Sequence, residues 1–335
     1  YIVDATAAPV ASISLISTWI GFELAEIENA LPELSTYSHL PTNSYQLFIN
    51  SLPYAFYPIL TLFFILYIIL SGKDFGPMKK YEINALKTTS IIHQETKSEQ
   101  KKANSLTLAL APLFTFLVMT FLGLLWTGYQ NTESSSHLSI VHQTSLYLGN
   151  SEANTAILIA STCSLLVSFM CSKKLAITTL QLVKWLWEST KKISSTLLAL
   201  MLAWLLSSIL NQLQLGETLS TYLKNSSFPP FLFPTFVFLI SALIAFSTGS
   251  SWSTMGILYG IVIPIAAQIS LETNSFNEAV FYSSLASVLG GAVWGDHCSP
   301  ISDTTIISSL ATDCKHINHV RSQLPYAILT GTFTV

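Results

Sequence analysis

The chain predicts an all-α membrane protein that crosses the bilayer many times, and three observations carry that reading. Only 10% of its 335 residues are charged while 50% are hydrophobic, with a mean hydropathy of +0.52; a soluble domain carries about 25% charge. Apolar runs long enough to span about 30 Å of hydrocarbon recur along it. Its basic residues are confined to a few segments, as in membrane loops sorted by side. The same composition excludes disorder, which needs low hydrophobicity and high net charge. The net charge of −3 offers no basic patch, so no nucleic-acid partner is expected. Cys163, Cys171, Cys298 and Cys314 form neither a CxxC pair nor a disulfide framework.

The chain opens at Tyr1 in an apolar stretch and closes at Val335 in another, without a signal-peptide pattern. A piece of a longer transporter or channel is therefore expected. Residues 1–172 read as one repeat and the spans after it. They begin with an interrupted helix over 1–30, broken by Asp4, Thr6, Pro9 and several serines, and continue with spans at 52–72, 105–128 and 153–172. Residues 173–193 carry Trp185 and Trp187 among lysines and read as a cytoplasmic amphipathic linker. Residues 194–335 read as a second repeat: a span at 194–215, a hairpin over 231–271, an interrupted helix over 278–310 and a last span over 319–335.

Charge orients these elements. Lys73, Lys79, Lys80, Lys87, Lys97, Lys101 and Lys102 share one loop; Lys173, Lys174, Lys184, Lys191 and Lys192 share another; Lys315 and Arg321 flank the last span. The loops at 31–51 and 129–152 hold no Lys or Arg. Positive charge marks the cytoplasmic side, so only Lys224 falls outside. Alternating spans reproduce this bias if 231–271 enters from outside and returns there. That predicts a re-entrant hairpin with Thr248-Gly249-Ser250-Ser251-Trp252-Ser253-Thr254 at its tip, since non-helical backbone at membrane depth survives where protein buries it or water lines it. The alternative is two short complete spans joined by a polar turn.

Leu52-Pro53-Tyr54-Ala55 recurs as Leu324-Pro325-Tyr326-Ala327, each time at the start of a span behind an interrupted helix. Aligning Pro9 on Pro300 sets Ile16-Ser17-Thr18 on Ile307-Ser308-Ser309 and puts Asp4 one place off Asp296. The charge map runs the first interrupted helix outward and the second inward. Inverted repeats of this kind mark many secondary transporters, whose ion sites lie where broken helices free backbone groups at mid-membrane. Pro9, Pro300, Gly249 and Gly295 are the expected break and turn residues.

Several of these segments also resemble a known family. Asp4-Ala-Thr-Ala-Ala-Pro9-Val-Ala with Ser17-Thr18-Trp19-Ile20-Gly21, then Leu202-Ala203-Trp204, the 248–252 segment, and Gly295-Asp296-His297-Cys298-Ser299-Pro300-Ile301-Ser302-Asp303-Thr304-Thr305 continued through 319–327, resemble motifs of the NhaC-type Na+/H+ antiporter family. The resemblance covers nearly the whole chain and is weakest over 73–104. It implies an ion-transporter fold of two inverted repeats, each with a re-entrant hairpin and a broken helix, the first hairpin lying upstream of Tyr1. It implies Na+ and H+ as transported ions; related exchangers that take lactate and malate leave the cargo open. Ser250 and Ser253 stand where the family usually has small residues.

An intramembrane carboxylate is costly and by default functional, which singles out Asp296, Asp303 and Asp4. The plainer reading makes each a hydrogen-bond partner for helix-break amides. Desolvation favours a protonated acid and a nearby cation favours an ionised one, so one carboxylate can exchange H+ for Na+. Ser299, Ser302, Thr304 and Thr305 would add oxygens beside Asp296 and Asp303, Thr6 and Ser12 beside Asp4, and Thr248, Ser250, Ser251 and Ser253 at the hairpin tip. The tip hydroxyls equally suit plain turn capping. His297 is placed to tune the acid beside it. Glu23, Glu26 and Glu28 read as a solvated or interfacial cluster, and His319 as a loop residue.

No enzyme is expected: HExxH is absent, and 249–253 ends in Ser where a GxSxG elbow needs Gly. No cofactor or resident metal is expected. The expected partners are the bilayer, Na+ and H+, with a small carboxylate as alternative cargo and a homodimer as the assembly open to such a protein. The expected location is the inner, cytoplasmic membrane, crossed several times.

Overall fold

The structure, a computed structural model, describes residues 1–14, 17, 19–34, 40, 41, 43–92, 106–132, 143, 144, 147, 148, 150–174, 178–213, 218, 221, 222, 228–271, 276–312 and 314–335. Lys97, Lys101, Lys102, Lys224 and Thr18, which enter the charge and repeat readings, lie outside them. The described residues are helical apart from turns and one isolated bridge, Leu271 to Phe276. Four helices are long and apolar enough to cross a membrane alone, and a bent pair makes a fifth. The chain is an all-α polytopic membrane protein. Its exterior suits lipid: Leu70, Leu180, Leu243 and Phe333 are exposed while Asp4, Glu23, Asp296 and His297 are buried.

The first interrupted helix comprises α1 (Ile2–Ile13) and α2 (Ile20–Leu34). Pro9 does not break it, contrary to expectation; Pro9 sits inside α1, and the chain leaves the helix at Ser14 (φ −80°, ψ 129°). The cause is the serine at the far side. Ser17 Oγ accepts from the Trp19 and Ile20 amides, both at 3.1 Å, and so starts a new helix. Next, α3 (Ser44–Ser51) and a 3-10 turn (Leu52–Tyr54) join α4 (Phe56–Ser71) at a 49° bend. Pro58 lacks the amide that would bond Tyr54, which accounts for the bend.

The polar helix α5 (Gly76–Ile92) follows, then α6 (Leu106–Asn131) and α7 (Ala153–Lys174). These two form an antiparallel pair at the periphery: Gly123 lies against Ala156, and Ser164 Oγ donates to the Pro112 carbonyl at 2.9 Å. Residues 179–193 of the expected linker and 194–212 of the expected span are instead one helix, α8 (Thr179–Gln212). No Gly or Pro stands between 178 and 213 to end it. At 34 residues it is roughly 50 Å long, more than the bilayer core needs.

The centre is built by α9 (Phe233–Thr248), α10 (Ser251–Ile269), α11 (Glu278–Cys298), α12 (Asp303–Ala311) and α13 (His316–Thr334). Helix α9 lies parallel to α11 at backbone distance, because Gly291 meets Phe238 and Ser241 while Gly295 meets Ala242 and Ala245. Ser241 Oγ also donates to the Val288 carbonyl at 2.6 Å. Small residues permit this approach. The chain reverses at Gly249 (φ +64°), and α10 returns to a short connection into α11. The α9–α10 pair therefore enters and leaves on one side. Each arm, counted from Pro230, has 19 residues and is long enough to cross by itself. Of these candidate spans α10 is the most enclosed, 67% buried against 22% for α6.

Contacts fix the senses of the rest. Helix α13 runs antiparallel to α11, since Gln323 bonds the His297 carbonyl and Trp294 bonds the Ala327 carbonyl. Trp19 and Phe22 pack on Trp252, while Glu23 and Glu26 lie by Tyr259, so α2 runs parallel to α10. The two interrupted helices thus run in opposite senses. The chain just past α4 meets the middle of α13 where Tyr326 donates to Asp74 at 2.7 Å, and α5 reaches the start of α13 where Tyr81 donates to Asn318 at 3.2 Å; Lys73 and Lys315 lie on that side. The other end, with the starts of α9 and α11, carries no Lys or Arg in 228–271 or 276–290.

Candidate functional site

Three irregular points converge: the α1–α2 break, the α9–α10 tip and the α11–α12 break. A methyl at Gly249 would strike Ile301 of the second break, and Ser299 Oγ donates to the Phe246 carbonyl at 2.8 Å. Trp19, beside the first break, meets Trp252 just past the tip with ring centroids 5.8 Å apart.

The breaks share one local design. Helix α11 ends with Ser299 at φ −77°, ψ 128°, matching Ser14, and Ser302 Oγ accepts from the Thr305 amide as Ser17 Oγ does from Ile20. The matching units are therefore Ser14 to Ser17 and Ser299 to Ser302. The alignment of Pro9 on Pro300 is replaced by this one. It puts Ala11, not Asp4, at the position of Asp296, so of the two breaks only that between α11 and α12 carries an acid at this position. Pro300 lies inside its break, as expected.

Asp296 is 1% exposed and ends α11 one turn before the break. Its Oδ2 accepts from Thr304 Oγ1 at 3.2 Å, and Thr304 Oγ1 is 2.8 Å from Ser302 Oγ. Its Oδ1 has no partner, and neither does Thr305 Oγ1; both are fully enclosed. Break carbonyls are largely engaged. His297 O takes Gln323, Pro300 O takes His316 at 2.6 Å, and Phe246 O takes Ser299. Among the described side chains around the break, the enclosed oxygens without a partner are Asp296 Oδ1, Thr305 Oγ1 and, on the Gln323 that bonds the His297 carbonyl, Oε1.

The other expected site residues fall apart from this cluster. Asp303 is exposed, and its Oδ1 takes the Thr304 amide at 2.9 Å, a helix-start role. At the tip, Ser250 Oγ takes the Ser253 amide and hydroxyl, both at 3.3 Å, and its carbonyl takes Thr254. Thr248 is exposed and back-bonds to Ile244; Ser251 is buried at the start of α10. In α1, Thr6 bonds Ile2 O and Ser12 bonds Pro9 O. Thr6 also lines an open cavity of about 410 Å³ with Ser14 and Ser17.

Asp4 is fully buried, but its partner is His319, whose Nε2 is 2.9 Å from Oδ2; Ser308 Oγ reaches Oδ1 at 3.5 Å. His297 touches neither carboxylate. Its Nε2 faces the Asp4 carbonyl at 3.2 Å and its Nδ1 faces Tyr57 Oη at 3.0 Å, an arrangement the neutral ring satisfies completely. It ties α1, α4 and α11 together. His319 is not a loop residue: it lies in α13, 5% exposed. The signal was its spacing from Gln323, one turn on, which puts both on one helix face. Glu23 and Glu26 are not solvated either, at 0% and 5% exposure. They occupy the α2 face that packs on α10.

Among the described residues no group of three or more His, Cys, Asp or Glu is arranged to hold a metal ion. An enclosed, half-unpartnered carboxylate at a helix break, with a second helix pair turning against it, is the most distinctive feature of this polytopic membrane protein. Comparison with known proteins places it further. The model of the Na+/H+ antiporter family matches residues 10–335, and the chain belongs to that family. An uncharacterised protein of Haemophilus influenzae is 30% identical over all of this chain and 61% of its own length. An uncharacterised Na+/H+ antiporter of the same species is 34% identical over 32% of the chain and 22% of its own length. The malate-2H+/Na+-lactate antiporter of Bacillus subtilis is 25% identical over 39% of the chain and 30% of its own length. The chain thus spans about three fifths, at most, of these relatives. No solved structure matches it. The family is one of antiporters rather than enzymes.

Proposed function

We propose that the chain forms the ion-exchanging core of a secondary transporter that trades Na+ for H+ across the cytoplasmic membrane by alternating access. The observation that carries this is the pair of enclosed, unpartnered oxygens, Asp296 Oδ1 and Thr305 Oγ1, at the α11–α12 break. A proton on Asp296 or a sodium ion held by its carboxylate with Thr305, Ser302 and Thr304 would each neutralise the acid, and the two exclude one another. That competition couples the fluxes. The opposed breaks supply an inverted pair of elements that can open to either side in turn. In this scheme the 231–271 pair is a re-entrant hairpin whose tip closes on the break at Ile301. Asp4 acts as a structural partner of His319, not as an ion ligand.

A second reading is exchange of small carboxylates, favoured by the name of the Bacillus subtilis relative. No Lys or Arg side chain among the described residues makes a hydrogen bond or ion pair at the break, where one would strengthen the hold on an organic acid. This favours the cation. The complete protein in proteoliposomes loaded with a pH dye separates the two. An internal pH change triggered by NaCl alone is the expected result. A response that needs added lactate or malate contradicts it.

A further inference from the structure

Helix α2 carries an ionisable group that the exchange scheme leaves unused. Trp19, Phe22, Glu23 and Glu26 recur at helical spacing and form one seam. Across it lie Trp252 and Tyr259 of α10, with the Phe22 and Trp252 rings 4.6 Å apart and Tyr259 within electrostatic reach of both glutamates. Glu23 is 0% exposed, and both carboxylate oxygens lack any partner. It lies one turn past the first break. An ionised carboxylate without a hydrogen bond or counter-ion is not tolerated in such surroundings, and a protonated one still lacks an acceptor for its hydrogen.

The surrounding helices offer no compensation. Tyr259 is the titratable group that α10 turns to the seam, and α3 carries Tyr45. On α7, Lys173 is exposed at the far end over Phe169, and Glu152 before it faces Glu28. No described cationic side chain pairs with Glu23.

We propose that Glu23 is a second cation-binding carboxylate, in the seam between α2 and α10, taking a monovalent cation or a proton independently of Asp296. Two such acids, Asp296 at the second break and Glu23 a turn past the first, let the protein carry more than one charge per cycle. The proposal rests on the reading of the chain as a cation transporter.

Infrared difference spectra of the complete protein in liposomes, recorded on replacing choline chloride with NaCl, test it. In Asp296→Asn a Na+-induced loss of protonated-carboxyl absorption is expected to remain, and in Asp296→Asn/Glu23→Gln to vanish. Should the glutamine variant fail to fold, Asp296→Asn/Glu23→Asp is expected to keep the band at a shifted frequency. Superimposable Na+ spectra for Asp296→Asn and its folded Glu23 double variants overturn the proposal while leaving the Asp296 signal of the wild type intact. A wild type silent to Na+ would instead sink the cation-transport reading itself.

Discussion

Asp296 and Thr305 differ from their neighbours in what they lack. Ser302 makes two kinds of bond: it caps the Thr305 amide and touches Thr304. Removing its hydroxyl in Ser302→Ala should cost about 1 kcal/mol of stability, seen as a lower Tm, as well as Na+ affinity. Thr305→Val removes an oxygen with no protein partner. It should leave Tm unchanged within error while weakening Na+ binding several-fold in a titration. Equal loss of stability in both would show that Thr305 is structural. The Asp4–His319 pair belongs to a different account. Both side chains are buried at 2.9 Å, so His319→Ala leaves a buried acid unpaired and should cost roughly 3–5 kcal/mol. Thermal unfolding checks this; an unchanged Tm would return Asp4 to the list of free acids.

Helix ends, rather than helices, position the chemistry. The tip turns at Gly249 in the left-handed region, with the Ile301 carbonyl 2.8 Å from where a Cβ would stand. Gly249→Ala should therefore pay roughly 1–2 kcal/mol in backbone strain and push the tip off the break, reducing transport more than expression. Normal uptake by that variant would show that the contact is dispensable. The second break was legible in the sequence because Pro300 sits among acids and hydroxyls in an apolar run. The first was misplaced because Pro9 drew the alignment, whereas the physical signal was the Ser-x-x-Ser spacing, in which one serine ends a helix and the next caps another. Helix α8 was cut in two by its lysines, although charge does not end a helix and nothing in the segment does.

Across the whole molecule, composition gave the class, and charge predicts a sidedness that awaits its test. Single cysteines at Lys79 and Glu278, in a cysteine-free background, should react with a membrane-impermeant thiol reagent from opposite faces. Labelling from one face would invert the assignment of α11. The long-range pairings were not legible. Glu23 and His319 looked peripheral because position along the chain says nothing about which face of a helix meets which neighbour. The central claim is that one carboxylate, at one break, holds H+ and Na+ in turn. Its most direct test is Na+-driven proton movement by Asp296→Asn of the complete protein in dye-loaded proteoliposomes, beside wild type and Asp296→Glu. The asparagine variant should fold and insert normally yet lose Na+/H+ exchange, with partial activity in the glutamate variant. Full exchange by Asp296→Asn would contradict the account.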